Sequence, residues 1–201
     1  RWLTKFLAGH TRLPLALDSS AASVLRTGLE AAPAGGPKWL LNSASMERLD
    51  VLDLAATAGT AVLCSGAGAE VLPQTAAERV AALEPVVAAA RRLGISDDRL
   101  FLDPLVLPIG VDPLQGMAFL DACRELRKQY APAMHVVGGI SNVSYGMPEH
   151  RLLNHRFLEL ARAAGLDAAL YDPLQLAPGA WTPELAAAAD RVLTGDDAFA
   201  A

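Results

Sequence analysis

Two carboxylates and two primary amides stand where short apolar runs of this chain end. Asp18 follows Leu13-Pro14-Leu15-Ala16-Leu17, and Asn42 follows Trp39-Leu40-Leu41. Asp103 follows Leu100-Phe101-Leu102, and Asn142 closes Val136-Val137-Gly138-Gly139-Ile140-Ser141. A carboxylate only accepts hydrogen bonds, whereas a primary amide both donates and accepts. Such groups at the ends of scaffold strands, beside glycines that admit close backbone approach, suit a flat polar ligand. Local explanations stand beside this one. Asp18 and Asp103 would also serve as caps for helices after them, and Asn42 as a turn residue. Gly138 and Gly139 would also relieve crowding where strand meets loop. Ser19, Ser43, Ser141 and Ser144 read as caps rather than nucleophiles, because no histidine is placed to activate them. His10, His135, His150 and His155 show no ligand spacing and read as surface or loop residues.

The elements that would position these groups alternate strictly. The chain opens in a helical stretch (Trp2, Leu3, Phe6, Leu7), and Leu13–Ser19 reads as a buried strand. A helix from Ala21 to Ala32 is stopped by Pro33 and Gly35-Gly36. Lys38–Ser43 repeats the strand pattern, and Met46–Ala58 reads as a helix with Gly59 past its end. Thr60–Gly66 is the third strand, with a loop running through Gly68 to Pro73. Thr75-Ala76-Ala77-Glu78 is a capping box, opening a helix that carries Val80, Leu83, Val87 and Leu93 inward and is expected to kink at Pro85. Leu100–Leu105 is the fourth strand, and Asp112-Pro113 predicts the start of a helix to about Tyr130. Met134–Asn142 is the fifth strand, followed by a helix with Leu153, Phe157, Leu160 and Ala164 on one face. Leu166–Asp172 is the sixth, with Asp172 read as a turn residue, and Thr182 caps a last helix reaching about Leu193.

Strict alternation predicts a parallel sheet covered by helices, in one domain over residues 1–201. No GxGxxG or Walker-type turn follows any strand, which counts against nucleotide-binding open sheets. Polar groups at the ends of several different strands favour a TIM-type barrel, whose active site lies at that rim. The net charge of -5 and pI near 5.3 argue against a nucleic-acid binder. No apolar run is long enough for a membrane span, and no secretory signal opens the chain. Cys64 and Cys123 are too few and too far apart for a CxxC site and read as small reduced hydrophobes. A cytoplasmic enzyme is the class these features fit.

Several segments, taken in order, resemble the pterin-binding methyltransferases. They are Leu17-Asp18-Ser19, Leu41-Asn42-Ser43 with Glu47-Arg48, Leu102-Asp103-Pro104-Leu105 and Gly139-Ile140-Ser141-Asn142-Val143-Ser144. Leu153-Asn154 with Phe157-Leu158, and Gly165-Leu166-Asp167-Ala168-Ala169, continue the match, which runs from about Leu13 to Pro173. The nearest likeness is to the methyltetrahydrofolate:corrinoid/iron–sulfur protein methyltransferases. The folate-binding barrel of cobalamin-dependent methionine synthase and dihydropteroate synthase are more distant. A dihydropteroate synthase is disfavoured, because that family carries a Ser-Arg-Lys-type motif where this chain has Ser141-Asn142-Val143-Ser144.

The resemblance implies a (β/α)8 barrel with the pterin across its carboxyl-end rim. By it, Asp18, Asn42 and Asp103 grip the pterin ring, and Asn142 contacts the methyl-bearing nitrogen as the catalytic residue. Ser141 and Tyr145 are further substrate contacts, and His150 or Arg151 meets the glutamate tail. The implied reaction moves the methyl of 5-methyltetrahydrofolate to the cobalt(I) of a corrinoid. That cobalamin-type cofactor rides on a separate corrinoid (iron–sulfur) protein, so no metal ligands are expected here. Intact relatives are homodimers. Six strand–helix units are two fewer than the barrel needs, so the first two are expected to be missing from the amino end. The third-strand loop, Ser65–Glu70, also departs from the family pattern. A folate-binding module without turnover is the alternative of a different class.

Overall fold

The computed structural model describes residues 1–33, 38–67, 71–175 and 181–197. Helix α1 (Trp2–His10) leads into β1 (Leu15–Asp18), α2 (Ala22–Glu30), β2 (Trp39–Ala44), α3 (Asp50–Ala58) and β3 (Ala61–Ser65). Then come α4 (Ala76–Arg92), β4 (Leu100–Asp103), α5 (Gln115–Tyr130), β5 (His135–Gly139), α6 (His150–Ala163), β6 (Ala168–Leu170) and α7 (Pro183–Thr194). The six strands form one parallel sheet in the order β1-β2-β3-β4-β5-β6, with β1 and β6 at its edges. A doubly wound sheet reverses its strand order at a switch point. Here the order never reverses, so every crossover carries its helix to the same side and the sheet curls into a half-barrel.

Alternation along the strands separates two faces. Leu41, Val62, Cys64, Leu100, Leu102 and Val136 are fully buried on the convex face, against helix residues such as Leu52, Leu83, Phe119, Leu120 and Leu126. Both cysteines are free and buried there, and burial pushes each thiol up to about 12, so both are inert hydrophobes. Gly138 belongs to this face. A Cβ there would lie 2.6 Å from Cζ of Phe119, itself packed on Phe157 at 5.5 Å between centroids. Crowding against α5 therefore explains this glycine. Gly138→Ala is expected to cost about 1–3 kcal/mol by overpacking. Denaturant titration checks this, and an unchanged midpoint would mean that Phe119 swings aside freely.

Local signals behave as chemistry dictates where a side chain defines them. The Thr75 Oγ1 accepts from Glu78 N at 3.2 Å while the Glu78 carboxylate accepts from Thr75 N at 3.0 Å, completing the capping box. Thr182 caps α7, and Gly59 ends α3 at φ +67°. Helix α4 continues through Pro85 to Arg92.

Other expectations need correction. Helix α3 starts at Asp50, because Arg48 N bonds back to Ser45 O in a preceding turn, which leaves Met46 exposed. Helix α5 starts at Gln115: Asp112 is drawn into an Asx turn, its Oδ1 accepting from Leu114 N at 3.0 Å. β1 is an edge strand of alternating exposure rather than a buried one. β5 ends at Gly139 in a 3-10 turn over Ile140–Asn142, and β6 spans only Ala168–Leu170. Leu83 and Val87 are buried as expected, but Leu93 is exposed, and Arg79, Val86 and Ala90 complete the buried face of α4. The Gly35-Gly36 stop and part of the third-strand loop lie outside the described residues. Among the described residues no helix is long and apolar enough to cross a membrane.

Candidate active site at the carboxyl rim

Strand register decides which side chains share the concave face. Asp18 pairs with Asn42, Asn42 with Leu63, Leu63 with Phe101, and Phe101 with His135. Directly paired residues point to the same face, and so do residues two apart on one strand. Asp18, Asn42 and Asp103 therefore look into one concavity. Asp103, two residues beyond Phe101 and opposite Ser65, stands one layer nearer the rim. Around Asn42 the strand bulges, its register with β3 shifting between Asn42 and Ala44. Arg48 donates from Nη2 to Ser19 O at 2.7 Å, tying the segment after β2 to the end of β1.

Asp103 is half-buried, and its Oδ1 accepts from Leu105 N at 2.9 Å. Among the described residues no protein donor reaches its Oδ2. Burial pushes this carboxyl up to about 6, against the lowering effects of the Leu105 amide and of the nearby Arg79 charge. Asp18 is exposed and Asn42 half-buried, with their side chains uncommitted to other described groups.

Asn142 ends the 3-10 turn after β5 and is exposed. Its Nδ2 folds back to 3.1 Å from where a Gly139 Cβ would sit, so the missing side chain at Gly139 makes room for this amide. Because Gly139 is two residues on from Val137 and four from His135, the amide lies at the concave edge of the rim. Beside it is a groove of about 460 Å³ lined by Ser141, Ser144, Tyr145, His150 and Asn154. Tyr145 is exposed, and Arg151, also exposed, does not line the groove. The structure thus forms two clusters: Asp18, Asn42 and Asp103 on the concave face, and Ser141, Tyr145 and His150 around the loop that carries Asn142.

That loop is pinned from below. Ser144 Oγ donates to Asn154 Oδ1 at 2.7 Å, both side chains buried, and Ile109 N donates to Val143 O at 2.9 Å. Asn154→Leu would leave the Ser144 hydroxyl buried without that partner. It is expected to cost about 1–3 kcal/mol and to speed amide exchange in residues 141–145. Normal exchange there would show that Asn154 does not hold the loop.

Three residues with structural weight here escaped a reading of the sequence as core. Arg79 is fully buried, Gln115 is buried, and Asn154 is buried. For Arg79 a signal existed: it sits at the head of the 79-83-86-87-90 stripe, a charge in the row that faces the core. His135 is a partly exposed histidine with defined contacts. It is a strand residue, stacked on Phe101 at 4.4 Å, with Nδ1 2.9 Å from Asp167 Oδ2. Among the described residues no group of three or more His, Cys, Asp or Glu side chains is placed to hold a metal ion.

Residues 2–171 match the family described as "Pterin binding enzyme". The chain is 28% identical over 181 residues to methylcorrinoid:tetrahydrofolate methyltransferase of Eubacterium limosum, covering 86% of this chain and 64% of that one. It is 28% identical over 197 residues to methionine synthase of Mycobacterium tuberculosis, covering 90% of this chain and 16% of that protein. The chain thus spans less than two-thirds of the length of these relatives. Among solved structures, dihydropteroate synthase from Xanthomonas albilineans in complex with 7,8-dihydropteroate superposes with a TM-score of 0.60 at 19% identity. That superposition covers 99% of this chain and 74% of the other, a likeness of fold.

Proposed function

Because this chain belongs to the pterin-binding enzymes, we propose that it holds a reduced pterin against the concave rim and catalyses transfer of the methyl of 5-methyltetrahydrofolate to the cobalt(I) of a corrinoid protein. The observation that carries the reading is Asp103. It is a half-buried carboxylate with one oxygen spent on Leu105 and the other open, on the face that Asp18 and Asn42 share. A reduced pterin presents a ring N–H beside an exocyclic amine, a donor edge that such a carboxylate accepts. Charge-assisted bonds of this kind are about twice as strong as neutral ones. Asp18 can take a second donor, and Asn42 can both give and accept.

Asn142 supports the transfer itself. Negative charge develops on the pterin nitrogen as its bond to the methyl group breaks, and the amide can donate a hydrogen bond that strengthens towards the transition state. An amide cannot act as a Brønsted acid at neutral pH, so the proton comes from solvent, which the exposure of Asn142 allows. The corrinoid, on a separate protein, would supply the methyl acceptor. The Eubacterium relative is named for the opposite direction. The same donor serves both directions, since forward and reverse share one transition state. Ser141 and Tyr145 flank the bound pterin, and His150, at the groove, is the better placed of the two basic candidates for the glutamate tail. Arg151 is left as an outer contact.

The test is to mix the protein with 5-methyltetrahydrofolate and cob(I)alamin and follow the visible spectrum for methylcobalamin. Methylcobalamin formation that depends on the protein is the expected result. Pterin binding without transfer would indicate a folate-binding module, and neither binding nor transfer would overturn the reading.

A further inference from the structure

Arg79 is the most deeply buried charged side chain of the described residues, and the transfer chemistry above does not use it. It projects from the first turn of α4. Its Nη1 donates to Leu105 O at 2.9 Å, its Nε to Pro73 O at 3.4 Å, and its Nη2 to Gln115 Oε1. Gln115 in turn donates to Asp112 Oδ2 at 2.7 Å and to Gln74 Oε1 at 3.0 Å. One guanidinium thus ties together the segment before α4, the segment after β4 and the head of α5. The planar guanidinium spreads five donors over three nitrogens and so reaches acceptors on three separate segments, whereas an ammonium presents its three donors from one atom.

Its contact with Leu105 is the informative one. Leu105 has φ +68°, the left-handed region that a leucine occupies only when its surroundings impose it. It is held from both sides: its carbonyl by Arg79 and its amide by Asp103 Oδ1. The chain of contact runs from Arg79 through the Leu105 peptide to the carboxylate that the pterin reading depends on. The titratable groups facing this pair come from three elements: the carboxylates of Glu78 on α4 and Asp112 ahead of α5, and the neutral Cys123 thiol on α5.

We infer that Arg79 is a positioning residue for Asp103, fixing the carboxylate's orientation through the Leu105 peptide and holding a buried positive charge near it. The inference rests on Asp103 being a pterin contact. Burial drives Asp103 towards its neutral form, and Arg79 opposes that.

The test compares wild type with Arg79→Gln, which keeps a donor and loses the charge, and Arg79→Lys, which keeps the charge and loses the fork. The Asp103 carboxyl is titrated without ligand by carbon-13 NMR of aspartate-labelled protein, its signal assigned by its loss in Asp103→Asn. Leu105 amide exchange is followed on the same samples, and 5-methyltetrahydrofolate affinity is measured from pH 5 to 8. In Arg79→Gln the Asp103 midpoint is expected to rise by roughly one unit, with the acidic limb of the affinity profile moving equally. In Arg79→Lys the midpoint should stay near wild type while Leu105 exchange quickens at least tenfold. An unmoved Asp103 midpoint in folded Arg79→Gln, or wild-type Leu105 exchange in Arg79→Lys, overturns the inference. The second criterion decides alone if Arg79→Gln does not fold. Should the midpoint and exchange respond as expected while wild type binds no pterin, the coupling stands and the functional reading falls.

Discussion

Asn142→Ala is expected to slow methyl transfer by about 10²–10³-fold, the usual loss when one preorganised donor to developing charge is removed. Pterin affinity is expected to change far less, because the bond is weak to a neutral tertiary amine and strong only as the nitrogen becomes anionic. Two features of the site support this split. The amide is held over the side-chain-free Gly139, and no described protein group hydrogen-bonds it, so it need not break a bond to serve the ligand. Single-turnover stopped-flow spectrophotometry with cob(I)alamin separates the two quantities. A rate loss at unchanged affinity identifies a transition-state contact. Equal losses in affinity and in second-order rate would make Asn142 a ground-state binder, and an unchanged rate would remove it from the reaction.

Much of this site was readable one strand at a time, because an apolar run ended by Asp or Asn is a local pattern. Asp18 and Asp103 close their strands and Asn142 lies just beyond one, where their sequence context puts them, whereas Asn42 lies inside β2, which runs on to Ala44. Which of them share a face was not readable, since that depends on cross-strand register, and a slip of one residue would turn each side chain away. The Thr75–Glu78 capping box was legible because both partners lie within four residues. For Arg79 the stripe signals burial but not its partners, since Leu105 and Gln115 are 26 and 36 residues away. The starts of α3 and α5 were missed for a related reason. Ser45 and Asp112 make turn bonds that compete with helix initiation, and only the packed chain shows which bond wins.

Asp103→Asn separates binding from folding in a way no other substitution here does. At pH 8 it should weaken pterin binding by about 10–100-fold, the worth of a hydrogen bond to a charged group. An amide presents one acceptor and one donor where the ligand edge offers two donors. As pH falls through about 6 the wild-type carboxyl itself takes up a proton, so its advantage should fade and the two affinity curves converge. Stability should move the other way. Asp103 titrates near 6 in the folded chain against about 3.9 in an unfolded one. The native state then holds the extra proton between those values. Its contribution to stability is complete below about pH 4 and is lost as pH rises through about 6. Asparagine has no such loss, so the variant should gain on wild type in denaturant midpoint between pH 4 and 7 while losing ligand. A side chain whose charged form burdens the fold and serves the ligand is a functional carboxylate rather than a cap. If the two proteins show parallel stability profiles and equal affinity, Asp103 returns to being the Asx-turn residue its bond to Leu105 already makes it.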